Sequence, residues 1–171
     1  MATVNTVFRL AWVALGAIAG STGFAAPAPR SGVHGKLIVK GKGLEFARAW
    51  LIRGSDTGDE TKPAAYILLS SRDVGAAIDA CKDIRCAIFD VVQEGAILEP
   101  IGDPAGSFWL RVVAPGLPHR EEQISGRTWT SSLDRHDRLS GKLQFLYANT
   151  RDEADLEIDA TLAKEFPVKK P

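Results

Sequence analysis

Apolar and polar residues alternate with a period of two along much of this chain, the pattern of half-buried strands. The clearest stretch is ADLEIDATL, where Leu156, Ile158, Ala160 and Leu162 alternate with Asp155, Glu157, Asp159 and Thr161. SFWLRVVA sets Phe108, Leu110 and Val112 against Trp109, Arg111 and Val113, and GKLIVK sets Leu37 and Val39 against Lys36, Ile38 and Lys40. Residues 41–43 carry two glycines and read as a hairpin turn into LEFARAWLIRG, where either parity can face inward over part of the run. AAYILLSS is a continuous apolar run too short for a free-standing helix and reads as a buried strand. CAIFDVVQ, EGAILEP, residues 124–130 and GKLQFLYA complete the expected strands. GSDTGDETKP, APGLPHREEQ and SSLDRHDR read as loops from their Gly, Pro and charge content.

One stretch departs from that period. Val74, Ala77, Ile78 and Cys81 recur at i, i+3, i+4 and i+7, with Ser71 or Asp73 placed to cap, which predicts a short amphipathic helix. About eight strands, one or two short helices and frequent turns predict a mainly β fold, an antiparallel β-sandwich or barrel. Residues 35–166 are expected to form a single β-rich domain. A Pro-rich, mobile lead-in at residues 26–34 precedes it and a tail at residues 167–171 follows.

The first 25 residues change the setting. Arg9 precedes an apolar run at residues 10–19, and small residues follow up to Ala25, the layout of a secretory signal peptide. That run is about half the length a membrane span needs, so no span is expected in the mature chain. Charge adds an exclusion: 21 Lys and Arg balance 21 Asp and Glu, and the leader removes one base, Arg9, and no acid. A near-neutral chain lacks the positive field that nonspecific nucleic-acid binding requires. Secreted or periplasmic localisation follows from the leader as an expectation.

Export gives meaning to Cys81 and Cys86, the only two cysteines. In an oxidising compartment an even pair closes a disulfide, whereas redox catalysis favours CxxC spacing and structural zinc wants four ligands. A helix continuing through both would separate their Cα atoms by roughly 8 to 9 Å, beyond the limit of about 7 Å. The helix is therefore expected to end near Lys82 or Asp83, with the chain turning back.

Candidate chemistry is sparse. GxSxG, GxGxxG, a P-loop and HExxH are all absent, and paired acids such as Glu121 and Glu122 are adjacent rather than opposed. No catalytic residue, metal ligand or cofactor is assigned. The aromatic residues are more suggestive. Trp50, Trp109 and Trp129 all fall in expected strands, where a tryptophan commonly packs in the core. Trp129 shares a strand face with Arg127 and is followed by the LDRHDR loop, so Arg127, Trp129, Arg135 and His136 form the candidate binding surface. Its expected partner is an envelope polymer or another exported protein.

LSGKLQF followed by ADLEIDATLAKEF resembles the C-terminal pattern of many uncharacterised exported bacterial β-rich proteins, with Ile158-Asp159-Ala160 standing where Phe-Asp-Ala is usual. The resemblance covers about thirty residues, implies an exported β-rich domain and transfers no active site. The function expected is non-catalytic binding or interaction, the alternatives being a cell-envelope hydrolase with a loop-assembled site or a metal-binding carrier.

Overall fold

The computed structural model describes residues 31–100, 107–117, 120–124 and 128–170. The leader, Arg127 and His119 lie outside the described residues. The elements run β1 (Gly32–Val39), β2 (Lys42–Leu44), β3 (Arg48–Ser55), β4 (Pro63–Ser70), α1 (Gly75–Ala80), a π-helical turn (Cys86–Asp90), β5 (Gly95–Pro100), β6 (Phe108–Val113), β7 (Arg120–Ile124), β8 (Trp129–Arg135), β9 (Arg138–Tyr147) and β10 (Asp152–Glu165).

The ten strands make one mixed sheet that does not close, ordered β2-β1-β10-β3-β4-β5-β6-β7, with β9 and then β8 added on the second edge of β10. The 14-residue β10 is the hub. Along one edge it pairs antiparallel with β9 from Asp152 to Thr161. Along the other it pairs first with β1 and then, from Thr161, with β3 in parallel, with an irregularity between Leu162 and Lys164. Among the described strands this is the single parallel pairing in an otherwise antiparallel sheet, in keeping with a mainly antiparallel fold. A strand serving two sets of partners along its length lets the sheet fold over itself. Phe108 of β6 and Phe145 of β9, on strands that are not neighbours, stack with ring centroids 6.3 Å apart. The arrangement is mainly β and sandwich-like, with two short helical elements.

The inner cluster takes one parity of each strand: Leu37, Leu51, Leu69, Leu98, Leu110, Leu143 and Leu156 all belong to it. The outer face of β3, β4 and β5 carries a second cluster, where Trp50, Ile52, Tyr66, Leu68 and Ile97 are covered by Ile78, Ile84, Ala87, Ile88, Val92 and Phe166. AAYILLSS is continuously apolar because β4 is covered on both faces. The same double burial makes both parities of β3 apolar.

The Cys81–Cys86 disulfide is formed, with Cα atoms 5.5 Å apart. α1 ends at Ala80, Cys81 is extended, and Lys164 of β10 donates to the carbonyls of Asp79 (2.5 Å) and Cys81 (2.7 Å). Asp73 does not bond deep into the helix, but its Oδ1 accepts from Gly75 N at 3.0 Å and bends the chain into it.

Several boundaries differ from those read in the sequence. CAIFDVVQ is not a strand: the π-helical turn and the residues after it lay Ala87, Ile88 and Val92 on the outer cluster. The β1–β2 hairpin closes through Lys40 (φ 51) and Gly41 (φ 78), the positive-φ pair of a primed turn. Only Leu37, Ile38 and Val39 pair across it, after which the chain breaks and β3 joins β4 and β10 instead. Gly32 to His34, expected in the lead-in, already belong to β1. REEQ, expected in a loop, belongs to β7, and most of SSLDRHDR is β8 with a two-residue turn at His136 and Asp137. The exposed, polar β8 resembles a loop in composition because it lies at an edge of the sheet.

Candidate functional site

Among the described residues of the predicted binding surface, Trp129 lies apart from Arg135 and His136. Trp129 is 8% exposed and lies in the inner cluster. A Cβ at Gly141, on the neighbouring β9, would fall 2.5 Å from its ring, so the glycine makes room for the indole. Arg135 and His136 are exposed at the other end of β8 and are engaged locally. Arg135 pairs with Asp137 (3.0 Å), and His136 Nε2 lies 3.1 Å from Glu165. Arg53 ties the turn down, donating to the carbonyls of Arg135 (2.8 Å) and His136 (2.9 Å). Among the described tryptophans the exposed one is Trp109, at 41%.

Trp109 belongs to a row of side chains crossing the outer face of the sheet. It stands opposite Glu99 on β5 and Gln123 on β7. The β4–β5 register pairs Ile67 with Leu98, which sets Tyr66 beside Glu99, and Tyr66 in turn stands opposite Ile52. Trp109, Glu99 and Tyr66 thus alternate ring, carboxyl and ring on three adjacent strands. They line a cleft of about 430 Å³, whose other walls are the β3–β4 loop at Asp56 to Gly58 and the disulfide-anchored segment at Ile88 and Phe89. Two guanidinium groups approach the Phe89 ring, Arg111, which also lines the cleft, at 4.6 Å and Arg85 at 5.2 Å from its centroid.

The loop wall is fixed by its own hydrogen bonds. Asp56 Oδ1 accepts from Gly58 N (2.6 Å) and Asp59 N (3.1 Å), and the backbone N of Asp56 donates to Lys62 O at 2.8 Å. Thr57 N donates to the Tyr66 hydroxyl at 3.1 Å and so fixes that ring against the loop. Burial pushes the Glu99 carboxyl up to about 7; the negative charge of Asp56 adds to the shift, and a hydrogen bond from Tyr66 opposes it. Tyr66 is pushed up to about 12, by burial first and then by Glu99. Near neutrality Glu99 can therefore donate a hydrogen bond when protonated or accept one when ionised.

A second, shallower depression lies on the outer face of β8, β9, β10 and β1, lined by His34, Lys142, Glu157 and Asp159. Its charges are largely paired. Lys142 lies 3.2 Å from Asp155, and outside the depression Lys36 lies 2.7 Å from Glu153. Arg138 and Ser140 both bond Asp159, and the Arg138 hydrogen bond holds its carboxyl below its ordinary value. This is the charged outer face of ADLEIDATL, and β1, the lysine-bearing strand, pairs with it.

Among the described residues no group of three or more His, Cys, Asp and Glu side chains is arranged to hold a metal ion, and no helix is long and apolar enough to cross a membrane. Comparison with protein-family models, curated proteins and solved structures gives no match to this chain.

Proposed function

We propose that this chain is an exported, non-catalytic binding domain that holds a small ligand in the cleft over β4, β5 and β6. The observation that carries the reading is Trp109. A large indole left 41% exposed beside a half-buried carboxyl forgoes burial that the other described tryptophans, Trp50 and Trp129, obtain. Walls fixed by a hydrogen-bonded loop and a disulfide preorganise the cleft, which lowers the ordering cost of binding. Export is supported by the leader-like residues 1–25 and by a cysteine pair that closes. A hydrolytic reading has one observation of its own: two carboxyls, Glu99 and Asp56, share the cleft and one is raised toward neutrality.

Thermal denaturation of the purified protein with small-molecule fractions of the producing cell's envelope tests the binding reading. A stabilising fraction is expected, with its effect lost in Trp109→Ala and kept in Arg135→Ala. Stabilisation that survives Trp109→Ala would place the ligand elsewhere, and turnover of the active fraction abolished by Glu99→Gln would favour the hydrolase.

A further inference from the structure

We propose that the residues following β10, Phe166 to Lys169, act as a strap that sets the position of the β3–β4 loop and thereby the opening of the cleft. The inference concerns one wall of the cleft and holds whatever occupies it.

The strap begins where strand pairing stops. β10 runs parallel to β3 as far as Glu165, beside Arg53, and the Phe166 amide adds one more bond, donating to the Arg53 carbonyl at 2.8 Å. Pro167 has no N–H to give, which ends the ladder. From there the chain crosses to the loop. The Pro167 carbonyl accepts from Ser55 Oγ at 3.3 Å, Lys169 N donates to the Glu60 carbonyl at 3.2 Å, and Lys169 Nζ pairs with the Glu60 carboxylate.

A strap holds a loop only if its own root is fixed. Phe166 is 5% exposed within the outer cluster. It packs over Gly54, where a Cβ would fall 3.1 Å from the Cβ of Phe166 and 2.6 Å from the Ile84 side chain, so the glycine lets the ring's backbone come close. Two residues earlier, Lys164 donates to the carbonyls of Asp79 and Cys81 and ties the root to the disulfide-anchored segment. The same short stretch is thus joined to both of the segments that wall the cleft.

The loop is built to move as a unit. Asp56 N bonds the Lys62 carbonyl across its base, Lys62 N bonds the Asp59 carbonyl at 2.9 Å, and Asp56 Oδ1 gathers the amides of Gly58 and Asp59. Its shape is therefore set from within, whereas its place over the sheet is set by ties from outside, the Tyr66 hydroxyl at Thr57 and the strap at Glu60. With the strap released, the loop swings on its base and carries Asp56, Thr57 and Gly58 away from the cleft they line. One backbone hydrogen bond and an exposed ion pair are a small constraint, so the release is a local opening and not an unfolding.

The test is amide hydrogen exchange of the full chain in Lys169→Pro, which removes both donors from an exposed residue, and in Lys169→Arg, which keeps both. The amides of Thr57, Gly58 and Asp59 are expected to exchange about tenfold faster in Lys169→Pro and at wild-type rates in Lys169→Arg, with the amides of β4 and β9 unchanged in both. Unchanged exchange at residues 57–59 in Lys169→Pro would overturn the strap. Faster exchange spread through β4 and β9 would overturn it too, since that marks a general loss of stability.

Discussion

Trp129 and Trp109 stand on strand faces of opposite fate, and each residue's consequence follows from its neighbours. Trp129 lies over Gly141 in the inner cluster, so Trp129→Ala is expected to cost about 3–5 kcal/mol in chemical denaturation. Trp109→Ala removes an exposed ring and is expected to cost less than about 1 kcal/mol. Along the chain Trp129 lies near Arg127, Arg135 and His136, which made it the candidate contact although a strand tryptophan more commonly packs in the core. Strand parity carried the better signal: Trp109 shares a face with Arg111, opposite the uniformly apolar Phe108, Leu110 and Val112. Glu99 was legible only as one acid in the apolar run AILEP, since its neighbours Asp56 and Tyr66 come from other segments. Its titration gives a signed expectation. Below about pH 4.5 the carboxyl is protonated in folded and unfolded chains alike, and Glu99→Gln should change little. Between pH 4.5 and 7 the unfolded chain ionises first, so the wild type loses stability relative to the variant, and above about pH 7 the deficit levels off. With partial solvent access allowed for, the deficit should be on the order of 1 kcal/mol. Melting temperatures of both proteins from pH 4 to 9 measure it, and a variant less stable than the wild type at pH 8 would contradict the origin given for the shift.

The segment from α1 to the π-helical turn covers the outer cluster and supplies one wall of the cleft. Its first half was legible because Val74, Ala77, Ile78 and Cys81 show helical spacing and the disulfide limits how far a helix can run. The second half was misread from its β-branched content. Ile84, Ala87, Ile88, Val91 and Val92 also recur at i, i+3, i+4, i+7 and i+8, and all but the partly buried Val91 are buried. Helical spacing prevailed over β propensity because the segment needs one apolar face to lie on the sheet, which is how tertiary context overrides propensity. Replacing both Cys81 and Cys86 by Ser should cost about 2 kcal/mol by the loop-closure model. Hydrogen exchange should show the loss of protection concentrated between residues 74 and 92, with the amides of β9 and β10 unchanged. Uniform loss across the sheet would mean that the staple supports the whole fold rather than this cover.

At the scale of the molecule, the alternating pattern of β10 made the hub strand readable, and Lys36 of β1 pairs with Glu153 of β10. The order of the remaining strands was not readable, because one strand's alternation fixes which face is buried and says nothing about its neighbour. The parallel β3–β10 pairing brings together residues more than a hundred positions apart, which no local pattern encodes. That topology sets β3, β4 and β5 in the middle of the sheet with both faces covered, and it leaves the outer face exposed where β5 meets β6, at Glu99 and Trp109. The central claim is that this exposed end is where the protein binds. Following the indole N–H signals of Trp50, Trp109 and Trp129 by NMR while the stabilising envelope fraction is added tests it most directly. The Trp109 signal should shift and saturate, while those of Trp50 and Trp129 stay in place. A static Trp109 signal, or saturable shifts confined to Trp50 or Trp129, would contradict it.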